Sequence, residues 1–188
     1  MEIYLVRHTK TAIPQGICFG RTDVETAETF PQEAGKVKAF FDFEVDEVFS
    51  SPLQRCKKLA QAVWPGRAKT DTRIVELDFG SWEMKKWDDI PQEKLLEWTD
   101  NYVKLAPPNG ESFETMYARV KNFYCNSVFP LGCNTVAIVT HAGVIRASLA
   151  LGMNIPLQET FNYPVEHGSI TKLVFNDGKI EVEFSNKE

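Results

Sequence analysis

The chain has 188 residues, 43% hydrophobic and 25% charged, with 21 Lys and Arg against 26 Asp and Glu and a formal net charge of -5. That length supports one well-buried core and is short for two. The acidic balance, without clustered Lys and Arg, excludes a nucleic-acid-coating surface, and apolar stretches no longer than a strand exclude a spanning helix of roughly 20 residues. One soluble, cytoplasmic domain is expected, monomeric or homodimeric. Its four cysteines, Cys18, Cys56, Cys125 and Cys133, form no CxxC pair and follow no secretory signal, so reduced thiols are expected rather than a disulfide framework. None reads as a metal ligand or a nucleophile.

In chain order, Ile3 to Val6 is a short β-rich run, followed by a loop from Thr11 to Thr29 punctuated by Pro14, Gly16 and Gly20. Pro31 to Phe41 reads as a helix, with Ala34, Val37 and Phe40 or Phe41 on one face. Val45 to Phe49 is a second strand. Ser51-Pro52-Leu53-Gln54 predicts a helix start, with Ser51 as N-cap, Pro52 at the first position and Gln54 completing a capping box. Leu53, Cys56, Ala60 and Val63 would form its buried stripe. Thr70 to Leu77 is a predicted strand, and about 35 residues rich in Trp and Pro follow it. Ser112 to Val128 reads as a helix after the turn Pro107-Pro108-Asn109-Gly110. Val136 to Thr140 is then a strand leading into a helix that closes at Gly152, a predicted C-cap. Ser169 to Phe175 and Ile180 to Phe184 form a hairpin through Asn176-Asp177-Gly178-Lys179. Strands alternating with helices over the first two-thirds predict an α/β fold: a three-layer α/β/α sandwich with a mostly parallel mixed sheet and an antiparallel edge.

Two of the three histidines, His8 and His141, stand at the downstream ends of apolar strand-like runs. Ligands of open α/β sheets bind beyond the carboxyl ends of the strands, so both imidazoles are expected to face one crevice. Arg7 directly precedes His8, and Arg55 lies in the first turn of the helix after Ser51. Helix N-termini attract anions through free N–H groups and the dipole, and guanidinium groups match phosphate oxygens bidentately. Gly143 permits close backbone approach after His141. If they converge, two Arg, two His and two helix starts make a pocket for one phosphoryl group.

These residues carry a resemblance. Val6-Arg7-His8-Thr9 resembles the Arg-His-Gly signature of the histidine phosphatase (phosphoglycerate mutase-like) superfamily, Ser50 to Cys56 its second-arginine motif, and Val139 to Gly143 its second-histidine motif. Glu76 to Glu83 resembles the segment that holds the family's acid. The resemblance implies a metal-free, cofactor-free phosphomonoesterase acting on a small-molecule phosphate ester. His8 would take the phosphoryl group. Arg7, Arg55 and His141 would bind its oxygens, and Glu76 would exchange protons with the leaving group and the attacking water. Thr9 replaces the family's usual Gly, and the Asn that often follows the signature is missing.

Segments 16–24 and 83–90 and Pro108 to Ser112 resemble the branch that includes α-ribazole phosphatases, which act on the nucleotide that supplies cobalamin's lower ligand. The alternatives are a general small-molecule phosphatase, a phosphoglycerate mutase-like enzyme, a phosphoprotein phosphatase, and a non-catalytic phosphate-ester-binding module. Segment 78–111 reads as a small Trp-rich cover over a single domain spanning 1–188. Phe19, Gly20 and Trp82 are possible substrate contacts. The aromatics Trp82, Trp87, Trp98 and Tyr102 could stack on a flat heterocycle, but a cover packed on its own aromatics is the plainer expectation. His167 reads as a turn residue before the last hairpin, rather than as a lining of the substrate mouth.

Overall fold

The computed structural model describes residues 1–187. Chain order is β1 (Glu2–Arg7), α1 (Phe30–Phe40), β2 (Glu47–Ser50), α2 (Gln54–Val63), β3 (Ala68–Thr70), α3 (Gln92–Asn101), α4 (Phe113–Phe123), β4 (Thr135–Thr140), α5 (Ala142–Met153), β5 (Ile170–Asn176) and β6 (Lys179–Lys187). The sheet order is β3-β2-β4-β1-β5-β6. β1, β2, β3 and β4 pair in parallel, while β5 pairs antiparallel with both β1 and β6.

The period of two along each central strand divides the core. Ile3, Leu5, Val136 and Ile138 face one hydrophobic cluster with α4 and α5, whereas Tyr4, Val6, Ala137 and Val139 face another with α1 and α2. Both faces are thus covered, which is why β1 and β4 read as unbroken apolar runs. The three-layer mixed sandwich expected from the sequence is the observed fold.

The topology also places the site. β1 feeds α1 on one face, and its parallel neighbour β4 feeds α5 on the other. The gap between their carboxyl ends is therefore a switch point, where no crossover blocks the crevice. Arg7 pairs with Thr140, and the His8 N–H donates to the Thr140 carbonyl at 3.0 Å. Register alone sets His8 beside His141.

Three local expectations are corrected. The strand predicted over Thr70 to Leu77 ends at Thr70, because Asp71 accepts the Arg73 N–H at 2.8 Å and turns the chain into a 3-10 segment over Thr72–Ile74. α2 begins at Gln54 without a side-chain cap from Ser51. The Ser51 hydroxyl lies 2.8 Å from His141 Nε2 instead, and Asp23, on a distant loop, accepts the Gln54 N–H at 2.7 Å. α5 closes at Asn154 in the left-handed region with φ 54°, not at Gly152. Gly152 lies within the helix, where an added Cβ would come 3.0 Å from Val182 of β6. The hairpin turn is as expected, with Asp177 and Gly178 both at positive φ. The helix expected to Val128 carries the Ser112 cap, and its last turn widens into a π turn over Tyr124–Val128.

Candidate active site

His8 is buried, and its Nδ1 lies 2.7 Å from the Thr9 carbonyl. A carbonyl only accepts, so Nδ1 carries the proton. Burial first, then the Arg55 and Arg7 charges, hold the His8 pKa well below its ordinary 6.5. The ring is neutral near pH 7, and its Nε2 keeps a free lone pair. Its neighbours are the other two histidines, with ring centroids at 5.1 Å for His141 and 5.4 Å for His167.

The two guanidinium groups converge from two elements. Arg7 ends β1; its Nη1 donates to the Val165 carbonyl and its Nη2 to His167 Nε2 at 3.1 Å. Arg55 is fully buried in the first turn of α2, with Nη1 donating to the Thr22 carbonyl at 2.9 Å and Nη2 to the Gly20 carbonyl at 2.6 Å. The Nε atoms of both arginines are buried without a protein partner. Glu76 faces them through the start of α5: its Oε1 accepts the N–H groups of Leu77 at 2.9 Å and Gly143 at 3.1 Å. A Cβ on Gly143 would sit 2.3 Å from that oxygen, so only glycine allows this approach.

The sequence-based set of Arg7, His8, Arg55, Glu76 and His141 is brought together. The possible substrate contacts fare differently. Phe19 lies beneath the Arg55 guanidinium, 5.7 Å from ring centroid to Cζ, and Gly20 contributes a carbonyl to Arg55 rather than a free surface. Trp82 is 4% exposed and packs with Cys18 and Ile90 inside the cover, its ring 5.6 Å from that of Trp98. Trp87 and Trp98 pack around Trp82, while Trp98 and Tyr102 also pack against the main core, and the Trp82 ring is not available to a ligand.

Sequence reasoning missed several positioning residues. His167 does occupy the turn before β5, yet its ring faces Arg7 and His8. Its role as acceptor from Arg7 requires an unprotonated Nε2, and burial followed by the Arg7 charge brings its pKa down to about 4. Glu83 accepts N–H donors from Gly20, Arg21, Thr22 and Phe79 at 3.0–3.1 Å and the Thr22 hydroxyl at 2.6 Å, tying loop 16–24 to the cover. Arg119 of α4 donates to the carbonyls of Arg73 and Glu76 and fixes the segment carrying the acid. Only tertiary structure reveals these bonds, which span 43 to 63 residues of chain in most cases. Among the described residues, no group of His, Cys, Asp and Glu could hold a metal ion, and no helix is long and apolar enough to cross a membrane.

All three histidines of the chain sit in this cluster with depressed pKa values. The unfolded chain takes up protons near pH 6.5 that the folded protein refuses, so this stability is present above 6.5 and lost as pH falls. Each histidine contributes up to about 1.4 kcal/mol per pH unit below that value. The urea midpoint should therefore be clearly lower at pH 5.5 than at pH 7.5, and less so in His167→Asn. A midpoint unchanged between the two would contradict the neutral cluster.

The sequence profile of the histidine phosphatase superfamily (branch 1) matches residues 3–188. A protein of Hydrogenobacter thermophilus with the provisional name phosphoserine phosphatase 2 is 30% identical over 99% of this chain and 95% of its own length. The adenosylcobalamin/alpha-ribazole phosphatase of Salmonella typhimurium is 28% identical, covering 89% of this chain and 87% of that protein. The crystal structure of the alpha-ribazole phosphatase from Shigella flexneri superposes with a TM-score of 0.91 at 23% identity, covering 100% and 96% of the two chains, and shows the shared fold.

Proposed function

The chain is a phosphatase that belongs to branch 1 of the histidine phosphatase superfamily, and on that premise we propose that it cleaves small phosphate monoesters through a phosphohistidine at His8, without a metal. The observation that carries this reading is the His8 tautomer: with the Nδ1 proton committed to Thr9, Nε2 is the nucleophile. Nε2 bonds to phosphorus as the ester oxygen departs. Arg7, Arg55 and His141 hold the equatorial oxygens and stabilise the charge as the group transfers. Glu76 gives the departing oxygen its proton, its carboxyl group held at the start of α5 by the Leu77 and Gly143 N–H groups. Water then attacks phosphorus and passes a proton to Glu76, the N–P bond breaks, and inorganic phosphate leaves with His8 restored.

For the substrate, α-ribazole 5′-phosphate draws support from the Salmonella relative and from the resemblance of segments 16–24 and 83–90. The buried Trp82 withdraws the stacking argument. A general small-ester phosphatase and a phosphoglycerate mutase-like enzyme are the alternatives. The complete set of charged groups speaks against a non-catalytic binding module.

One assay addresses both levels. Glu76→Gln should slow alkyl phosphates far more than p-nitrophenyl phosphate, whose leaving group needs little protonation. Equal slowing of both would remove Glu76 from the acid role. In the same panel, a tenfold or greater kcat/KM advantage of α-ribazole 5′-phosphate over ribose 5-phosphate, about 1.4 kcal/mol, would show that the base is read.

A further inference from the structure

Glu83 follows the 3-10 turn over Gly80–Trp82 in the cover, and its carboxylate accepts from the N–H groups of Gly20, Arg21, Thr22 and Phe79 and from the Thr22 hydroxyl. The cover does not need this side chain to meet the loop. Backbone bonds already join them: the Met84 N–H donates to the Cys18 carbonyl at 2.7 Å, the Cys18 N–H to the Lys85 carbonyl at 2.8 Å, and the Trp87 N–H to the Gly16 carbonyl at 3.0 Å. Burial works against the half-buried carboxylate, yet the donors of Thr22, Gly20, Arg21 and Phe79 outweigh it and hold its pKa below the usual value. Glu83 is therefore a fixed negative charge at neutral pH.

The same three loop residues meet Arg55 through their carbonyl side. Arg55 Nη2 donates to the Gly20 carbonyl at 2.6 Å and Nη1 to the Thr22 carbonyl at 2.9 Å. A trans peptide group points its C=O and N–H in opposite directions. The Gly20 carbonyl and the Arg21 N–H belong to one such group, so its negative end lies on Arg55 and its positive end on Glu83. Each charge polarises the peptide in the sense that strengthens the bond to the other. Burial lowers the Arg55 pKa, and Glu83 is among the charges that oppose it. With one N–H of each terminal nitrogen committed to the loop, the guanidinium plane is set, and the Nε N–H, buried without a protein partner, stays free for an anion.

We propose that Glu83 is a positioning residue of the phosphoryl pocket: acting through the Gly20–Arg21 peptide group, its carboxylate holds Arg55 in the orientation that binds phosphoryl oxygens. This rests on the phosphatase reading and deepens it, since the cover then sets the affinity for the phosphoryl group from the far side of the loop. Glu83 itself takes no part in the proton transfers assigned to Glu76.

The test is a double-variant cycle read by titration with inorganic phosphate. Glu83→Gln keeps the size of the side chain but turns an amide nitrogen toward N–H donors, so it should weaken phosphate binding by about tenfold. In an Arg55→Ala background the same change should weaken binding by less than about twofold, because its route to the anion has gone. The kcat/KM for p-nitrophenyl phosphate should follow the same pattern, chiefly through KM, and Glu83→Asp, which keeps the charge with a shorter reach, should recover part of both. Phosphate binding in Glu83→Gln within about twofold of wild type overturns the proposal. So does an equal loss in the two backgrounds, which would make Glu83 a support of the cover alone. Circular dichroism checks the fold; if Glu83→Gln is unfolded, the cycle is run with Glu83→Asp, whose smaller loss must likewise vanish in Arg55→Ala. Wild-type protein that shows this coupling in phosphate binding and hydrolyses no ester overturns the phosphatase reading alone.

Discussion

His8→Ala should lose turnover by about 10⁴-fold or more, the scale on which removing a covalent nucleophile acts. The wild-type enzyme, mixed with ³²P-labelled ester and denatured in alkaline detergent, should carry label at His8 that is stable to base and lost in acid; the variant should carry none. The geometry makes this sharper than a general loss of function. Thr9 fixes the proton on Nδ1, and burial with Arg55 and Arg7 disfavours a second proton, so one nitrogen of one residue is poised to attack. Because Arg7 and Arg55 remain in His8→Ala, inorganic phosphate should bind within about tenfold of wild type, as ground-state anion binding does not require the nucleophile. The ring fills space between His141 and His167, so His8→Asn serves as a less disruptive second variant. Label on a cysteine would assign the covalent step elsewhere. Cys56 is the nearest thiol to consider, but burial pushes its pKa up and leaves little thiolate.

The sequence resolved the parts of this site that are local. Strand periodicity and strand-end positions placed His8 and His141 at the sheet's carboxyl edge, and the Asp177-Gly178 turn was legible because only residues tolerant of positive φ suit it. What failed were features in which a local signal was satisfied by a remote partner. Ser51 looked like a helix cap, but its hydroxyl serves His141, and Asp23 caps α2 from 31 residues away. Gly152 looked like a helix end, but its small size lets α5 approach β6. In the Trp-rich segment, the packing of buried Trp82 against Trp98 shows why composition could not make that ring a base-binding surface. Arg146 carried a usable signal: three residues after Gly143 on the helix that follows His141, it had to share a face with that glycine. His167 had none, since its approach to Arg7 spans 160 residues.

Arg55 should be the most sensitive cation of the pocket, because it acts on both substrate and loop. Its two terminal nitrogens hold the Gly20 and Thr22 carbonyls, and Asp23 of the same loop caps the helix that carries it. Gly20 has no room to readjust: a Cβ there would meet the Leu77 carbonyl oxygen at 1.9 Å. Removing two charge-assisted hydrogen bonds of about 2 kcal/mol each predicts a loss of about 10³-fold in kcat/KM for Arg55→Ala, together with weaker vanadate binding. The second consequence separates this variant from Arg7→Ala. Loop 16–24 loses both carbonyl ties to Arg55 and keeps the Asp23 contact with α2 and the bonds to Glu83, so its amide protons, including those of Gly20 and Thr22, should exchange faster in Arg55→Ala than in wild type or Arg7→Ala. Arg55→Lys is the discriminating control: it retains the charge but cannot span two carbonyls and an anion with one ammonium group. Partial recovery of vanadate affinity without recovery of loop protection would separate the electrostatic role from the fork geometry. Full recovery of both in Arg55→Lys would show that charge alone suffices and that the loop is held by Glu83.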